Sequence, residues 1–79
     1  MYFECRGGNH YKFYEIELFP GPDGLTIITA SWGPIGKPRA HRVQKFIGPE
    51  AKAVKKFNQL RKQKEKKGYI KKETPKYLH

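Results

Sequence analysis

Tyr11-Lys12-Phe13-Tyr14-Glu15-Ile16-Glu17-Leu18-Phe19 decides how this chain folds. Tyr14, Ile16 and Leu18 alternate with Glu15 and Glu17, the period of two expected of a strand that rests one face on a core and turns the other to water. Pro20-Gly21-Pro22-Asp23-Gly24 then ends the ladder. Upstream, Tyr2 to Arg6 is a short strand joined to it by Gly7-Gly8-Asn9, residues that tolerate the positive φ of a tight hairpin. Downstream, Leu25 to Trp32 is dense in β-branched residues (Thr26, Ile27, Ile28, Thr29) and reads as a third strand. The loop Gly33-Pro34-Ile35-Gly36-Lys37-Pro38 separates it from a fourth strand, Arg39 to Phe46. Consecutive strands joined by such short loops are antiparallel neighbours, so the four form a meander.

After Gly48 the period changes. Gly48 can cap a helix, Pro49 suits the first helical position, where its missing N–H costs nothing, and Glu50 complements the positive end of the dipole. Ala53, Val54, Phe57 and Leu60 make one apolar stripe. Lys66 and Lys67 favour the negative terminus, and Gly68 supplies a left-handed stop, so the helix runs over 49–67. Its stripe must cover one face of the sheet, since a bare meander leaves Ile16, Leu18 and Ile27 wet. The expected fold is α+β, a four-stranded antiparallel meander with one long helix packed on one face. Tyr69-Ile70 returns as an anchor, and the basic stretch from Lys71 to His79 is expected to be extended or mobile. A domain over residues 1–73 followed by a basic tail at 74–79 is the organisation this implies.

Seventy-nine residues hold one small domain and exclude a multi-domain enzyme. Lysine and arginine number 17 against 7 acidic residues, a formal net charge of +10, which favours a polyanionic partner. Residues 1–35 carry a net −2 and residues 36–79 a net +12, so the partner-facing charge comes from the second half. Cys5 is the single cysteine and His10, His41 and His79 fall on different elements, so neither a disulfide, a metal site nor a thiol nucleophile is expected. No catalytic constellation can be assembled, and no cofactor is expected. No window has the length of a membrane span or a signal peptide. The expectation is a monomeric, cytoplasmic protein, nucleoid-associated if it binds DNA.

Lys12-Phe13-Tyr14 opening a strand, Trp32-Gly33-Pro34-Ile35-Gly36 after the third, Phe46 before a helix with Ala53 and Phe57, and Lys64-x-x-Lys67-Gly68-Tyr69 at its end together resemble the WGR domain. That family occurs in DNA-damage-responsive poly(ADP-ribose) polymerases and in small bacterial proteins, and the resemblance covers about residues 2–73. It implies an antiparallel sheet crossed by a helix, a tryptophan that meets the sugar of a terminal nucleotide at a DNA break, and an arginine that serves interdomain contacts. Here the arginine is replaced by Pro34, which has no charge and no bidentate fork. The interdomain role therefore does not carry over, and neither does ADP-ribosylation, whose catalytic domain is not in this chain.

The candidate binding residues are Trp32, Lys37, Arg39, Arg42 and Lys45 around the loop and fourth strand, with Lys55, Lys56 and Arg61 on the helix. Strict alternation puts Arg39 and Lys45 on one face of the strand and Arg42 on the other. The helix is strongly basic where mixed signs would serve solubility alone. These features point to a non-enzymatic nucleic-acid-binding module for DNA rather than RNA, including ends or nicks, through phosphate contacts and an exposed Trp32, with little sequence preference because no base-reading pattern is present. The alternative is a protein-interaction adaptor that docks a partner through the Gly33 to Gly36 loop.

Overall fold

The computed structural model describes residues 1–37 and 41–76. The alternating stretch forms the longest strand and lies at the middle of the sheet. The elements are β1 (Tyr2–Gly7), β2 (His10–Pro20), β3 (Thr26–Pro34), β4 (His41–Gly48), α1 (Glu50–Lys66) and β5 (Ile70–Lys72). They build a five-stranded antiparallel sheet in the order β4-β3-β2-β1-β5, with α1 laid across one face.

The expected meander and helix are both present, and β5 adds to them. Lys71 and Lys72, expected in an extended tail, pair with Phe3 and Tyr2 on the open edge of β1. Three residues are too few to show a period, so only the vacant edge makes them a strand. Arg39, expected in the fourth strand, lies outside the described residues.

Phe3, Ile16, Ile28, Ala30 and Ala53 form the centre of the core between sheet and helix, with Leu60 and Tyr69 beside them. Val54, assigned to the apolar stripe, is instead 44% exposed. It stands about 100° round the helix from Ala53, off the line that faces the sheet. The start of the helix also differs by one position. Pro49 is the cap, with its carbonyl accepting from the Ala53 N–H at 2.9 Å, and Glu50 is the first helical residue.

Gly68 ends the helix as its sequence requires, at φ +94°. Its N–H donates to the Glu65 carbonyl at 3.1 Å, and the Tyr69 N–H donates to the Lys64 carbonyl at 3.0 Å. This paired closure reverses the chain and needs the left-handed residue at its centre. Its result is a buried Tyr69 delivered onto the sheet just before β5.

The face away from the helix is packed as well. Tyr2, Phe13 and Ile35 form a second small cluster, with the Tyr2 and Phe13 rings stacked at 5.7 Å. Ile35 is held against the sheet by its N–H, which donates to the Tyr11 carbonyl at 3.2 Å. Alternation alone assigned Glu15 to solvent, yet it is 2% exposed, between Tyr2 of β1 and Ser31 of β3. Glu4 is buried there too, accepting from the Tyr2 hydroxyl at 2.8 Å and from Arg6 Nε at 3.0 Å. Burial alone pushes its carboxyl up. The hydrogen bonds from Arg6 and Tyr2 outweigh that, so it ionises below the usual carboxylate range.

Candidate nucleic-acid interface

Strand register builds an aromatic row on the helix side. Tyr14 of β2 lies opposite Trp32 of β3, and Trp32 lies opposite His41 of β4. Cross-strand neighbours stand close enough for their rings to meet. The Tyr14 and Trp32 rings stack at 6.1 Å with planes 19° apart, and Trp32 and His41 at 5.4 Å and 29°. Tyr69 meets Tyr14 edge-on at 6.2 Å. Trp32, expected to be exposed, is half-buried between Tyr14 and His41. Burial, and then the nearby Tyr69, push the Tyr14 hydroxyl above its ordinary range.

Three lysines converge on this row, each by a different route. Lys12 shares the helix-side face of β2 with Tyr14 two residues on, and its Nζ is 5.8 Å from the centre of the Tyr69 ring. Lys64 continues the sheet-facing line of α1 through Ala53, Phe57 and Leu60, at spacings of four, seven and eleven residues from Ala53. Its ammonium sits 4.2 Å from the Tyr14 ring centre and 5.4 Å from that of Tyr69. Lys45 sits at a bulge. Ile28 pairs with Phe46 and Thr29 with Gln44, so Lys45 is the extra residue between them, and its Nζ is 5.7 Å from the Trp32 ring centre. Lys45 keeps the parity of His41 and Val43, which pair with Trp32 and Ala30, and the bulge turns Phe46 onto the helix side beside it.

Rings and lysines enclose a cleft of about 640 Å³ open to solvent, with Asn9, His10 and Pro34 at its margin. None of Lys12, Lys45 and Lys64 makes an ion pair with a carboxylate among the described residues. The Lys64 ammonium is held below its ordinary pKa, first by burial and then by repulsion from Lys67, Lys45 and Lys12. The cleft is thus a concentration of unneutralised positive charge between aromatic walls, suited to an anion that also carries a flat or apolar part.

Of the residues expected from sequence, Trp32 and Lys45 line the cleft. Arg42 is on the opposite face of the sheet, 3.9 Å from Glu17. Lys55 is exposed about 200° round the helix from Ala53. Lys56 is half-buried on a flank of α1, and Arg61 is engaged with Glu65 at 3.0 Å. Lys37 is exposed where its N–H closes the turn onto the Pro34 carbonyl. Arg39 lies outside the described residues.

Lys12, Lys64, Tyr14, Tyr69 and His41 were not among the expected contacts. For Lys64 a signal existed in the sequence, because a lysine on the buried line of a helix must either reach past the core or meet something that tolerates it. For Lys12 it was the shared parity with Tyr14. Tyr69 was expected only as an anchor and joins the row through the helix closure at Gly68, while nothing local marked His41, which joins it through the β3–β4 register.

Among the described residues no group of three or more His, Cys, Asp or Glu could hold a metal ion, and no helix is long and apolar enough to cross a membrane. The WGR domain matches residues 1–76, and the chain belongs to that family. Neither the curated proteins nor the solved structures contain a match. Pro34, where the family's name has arginine, is exposed at the end of β3, while the next residue, Ile35, is buried in the second cluster.

Proposed function

We propose that this WGR domain is a non-enzymatic nucleic-acid-binding module whose preferred ligand is DNA, including ends or nicks. The observation that carries the reading is the convergence of Lys12, Lys45 and Lys64 on one aromatic cleft without a carboxylate partner among the described residues. Like charges held together are relieved by a bound polyanion, and each phosphate they neutralise releases condensed counterions. Trp32, half-buried in the cleft wall, supplies contact to a sugar or base. Lys37, Lys55 and Lys56 add attraction at longer range. Arg39 belongs to the same candidate set by its sequence position, and Arg42 and Arg61, each beside a glutamate, contribute least. A nucleoid-associated location follows from this reading.

Fluorescence anisotropy with blunt, nicked and single-stranded DNA at several salt concentrations tests it. Three phosphate contacts from the cleft give a log-log salt slope of about −3, steeper with the outer lysines engaged. Binding that does not weaken with salt, or no binding at low salt, would exclude the reading.

A further inference from the structure

We propose that Lys64 is an amine nucleophile that captures phosphorylated aldehydes in the cleft as an imine. The proposal rests on the reading of the cleft as an anion site and adds a covalent step to it. A surface lysine is a poor nucleophile at neutral pH because its nitrogen lone pair carries a proton. Lysines become reactive when they are desolvated or set beside other cations, since both disfavour the ammonium. Lys64 meets both conditions. It is half-buried on the sheet-facing line of α1, between the rings of Tyr14 and Tyr69. Lys12, Lys45 and Lys67 raise the local potential around it, and no carboxylate among the described residues compensates. The two ring faces favour the charged form. The net direction is still downward, which leaves Lys64 a larger neutral fraction than an exposed lysine.

The same cleft supplies what an aldehyde bearing a phosphate needs. Lys12 and Lys45 line the same cleft as partners for the phosphate, and the aromatic walls accept the sugar or ring between phosphate and carbonyl. A volume of about 640 Å³ lies in the range of small-ligand sites. In the step, neutral Nζ attacks the carbonyl carbon, a C–N bond forms, and the C=O π pair moves to oxygen, which takes up a proton. The nitrogen loses a proton to give the carbinolamine. Expulsion of hydroxide as water then leaves the imine, so amine plus aldehyde becomes imine plus water and no oxidant or reductant is required. Two sources present this chemistry, namely the ring-opened deoxyribose of an abasic site in a DNA strand and a free phosphorylated aldehyde.

The test treats the full chain with pyridoxal 5′-phosphate and, in parallel, with unphosphorylated pyridoxal, reduces the adducts with borohydride and maps them by peptide mass spectrometry. The expected result is labelling of Lys64 several-fold faster than the exposed Lys62, and several-fold faster with the phosphorylated aldehyde than without it. Lys64→Arg, which keeps the charge but supplies no free amine, should lose that adduct while labelling of Lys62 persists. A duplex with one abasic site, reduced in the same way, separates the sources. A covalent complex mapped to Lys64 assigns capture to DNA, whereas an adduct with the free aldehyde alone assigns it to a soluble ligand. Lys64 labelled no faster than Lys62, or equally by both aldehydes, would overturn the proposal. Anisotropy with an intact duplex, which offers no carbonyl, reports separately on the nucleic-acid reading.

Discussion

The two faces of this sheet handle charge in opposite ways. On the side away from the helix, Glu4, Glu15 and Glu17 sit among the strands, with Arg6 on Glu4 and Arg42 beside Glu17. On the helix side the described strands carry no carboxylate at all, and Lys12 and Lys45 reach into the cleft with Lys64 opposite them. Both faces are packed, and both hold cations. The difference is that one face neutralises its positive charge internally and the other leaves it unmatched, which costs stability unless an anion binds. That contrast, rather than the net charge of +10, is what points to a particular surface.

The contrast can be broken from either side. Replacing Lys12, Lys45 and Lys64 together by Gln should weaken binding to duplex DNA on the order of a hundredfold at moderate salt and flatten the salt slope by about 3; anisotropy reads both. On the opposite face, Glu4→Ala removes the buried carboxylate that accepts from both Tyr2 and Arg6 and should lower unfolding stability by about 1–3 kcal/mol in urea titration, with DNA affinity little changed.

Acid sharpens the same point. Because the folded-state pKa of Glu4 is depressed, its contribution is fully present above the ordinary carboxylate value of 4.5 and is lost as pH falls through the lower folded value. The native chain should therefore lose stability more steeply below pH 4.5 than Glu4→Gln does, as followed by thermal melts across that range.

A smaller effect has the opposite sign. The Lys64 ammonium is disfavoured where it sits, so Lys64→Met should raise stability by about 0.5–1 kcal/mol while reducing DNA affinity. A melting temperature that drops instead would mean that the ring contacts outweigh desolvation and repulsion. Smallest of all, Lys55→Gln and Arg42→Gln, one facing away from the sheet and the other beside Glu17, should each change affinity by less than about threefold. A larger loss in either would move the interface away from the cleft.

Much of the fold was legible because its signals are local. The alternation around Tyr14 and Ile16, the β-branched run at Thr26–Thr29 and the glycine stop at Gly68 each follow from the geometry of a few adjacent residues. The site was less legible. Trp32 and Lys45, both candidates from the sequence, line the cleft, but parity grouped Lys45 only with Arg39 and said nothing of Trp32 beside it, which the β3–β4 register decides. Lys64 was one lysine in a basic helix until Tyr14 and Tyr69 stood beneath it. Glu15 has the parity of a solvent-facing strand residue, yet between Tyr2 and Ser31 on the neighbouring strands it is buried.

The order of strands and helix, the stop at Gly68, the excess of positive charge in the second half and membership of the WGR family were all determined by the amino-acid sequence alone, since each depends on chain-local periods, turn residues or composition. Which cations remain unneutralised was decided only in three dimensions. Charge is cancelled or left over through distances between residues far apart in the chain, and those distances are set by sheet register, one bulge and the line of a helix.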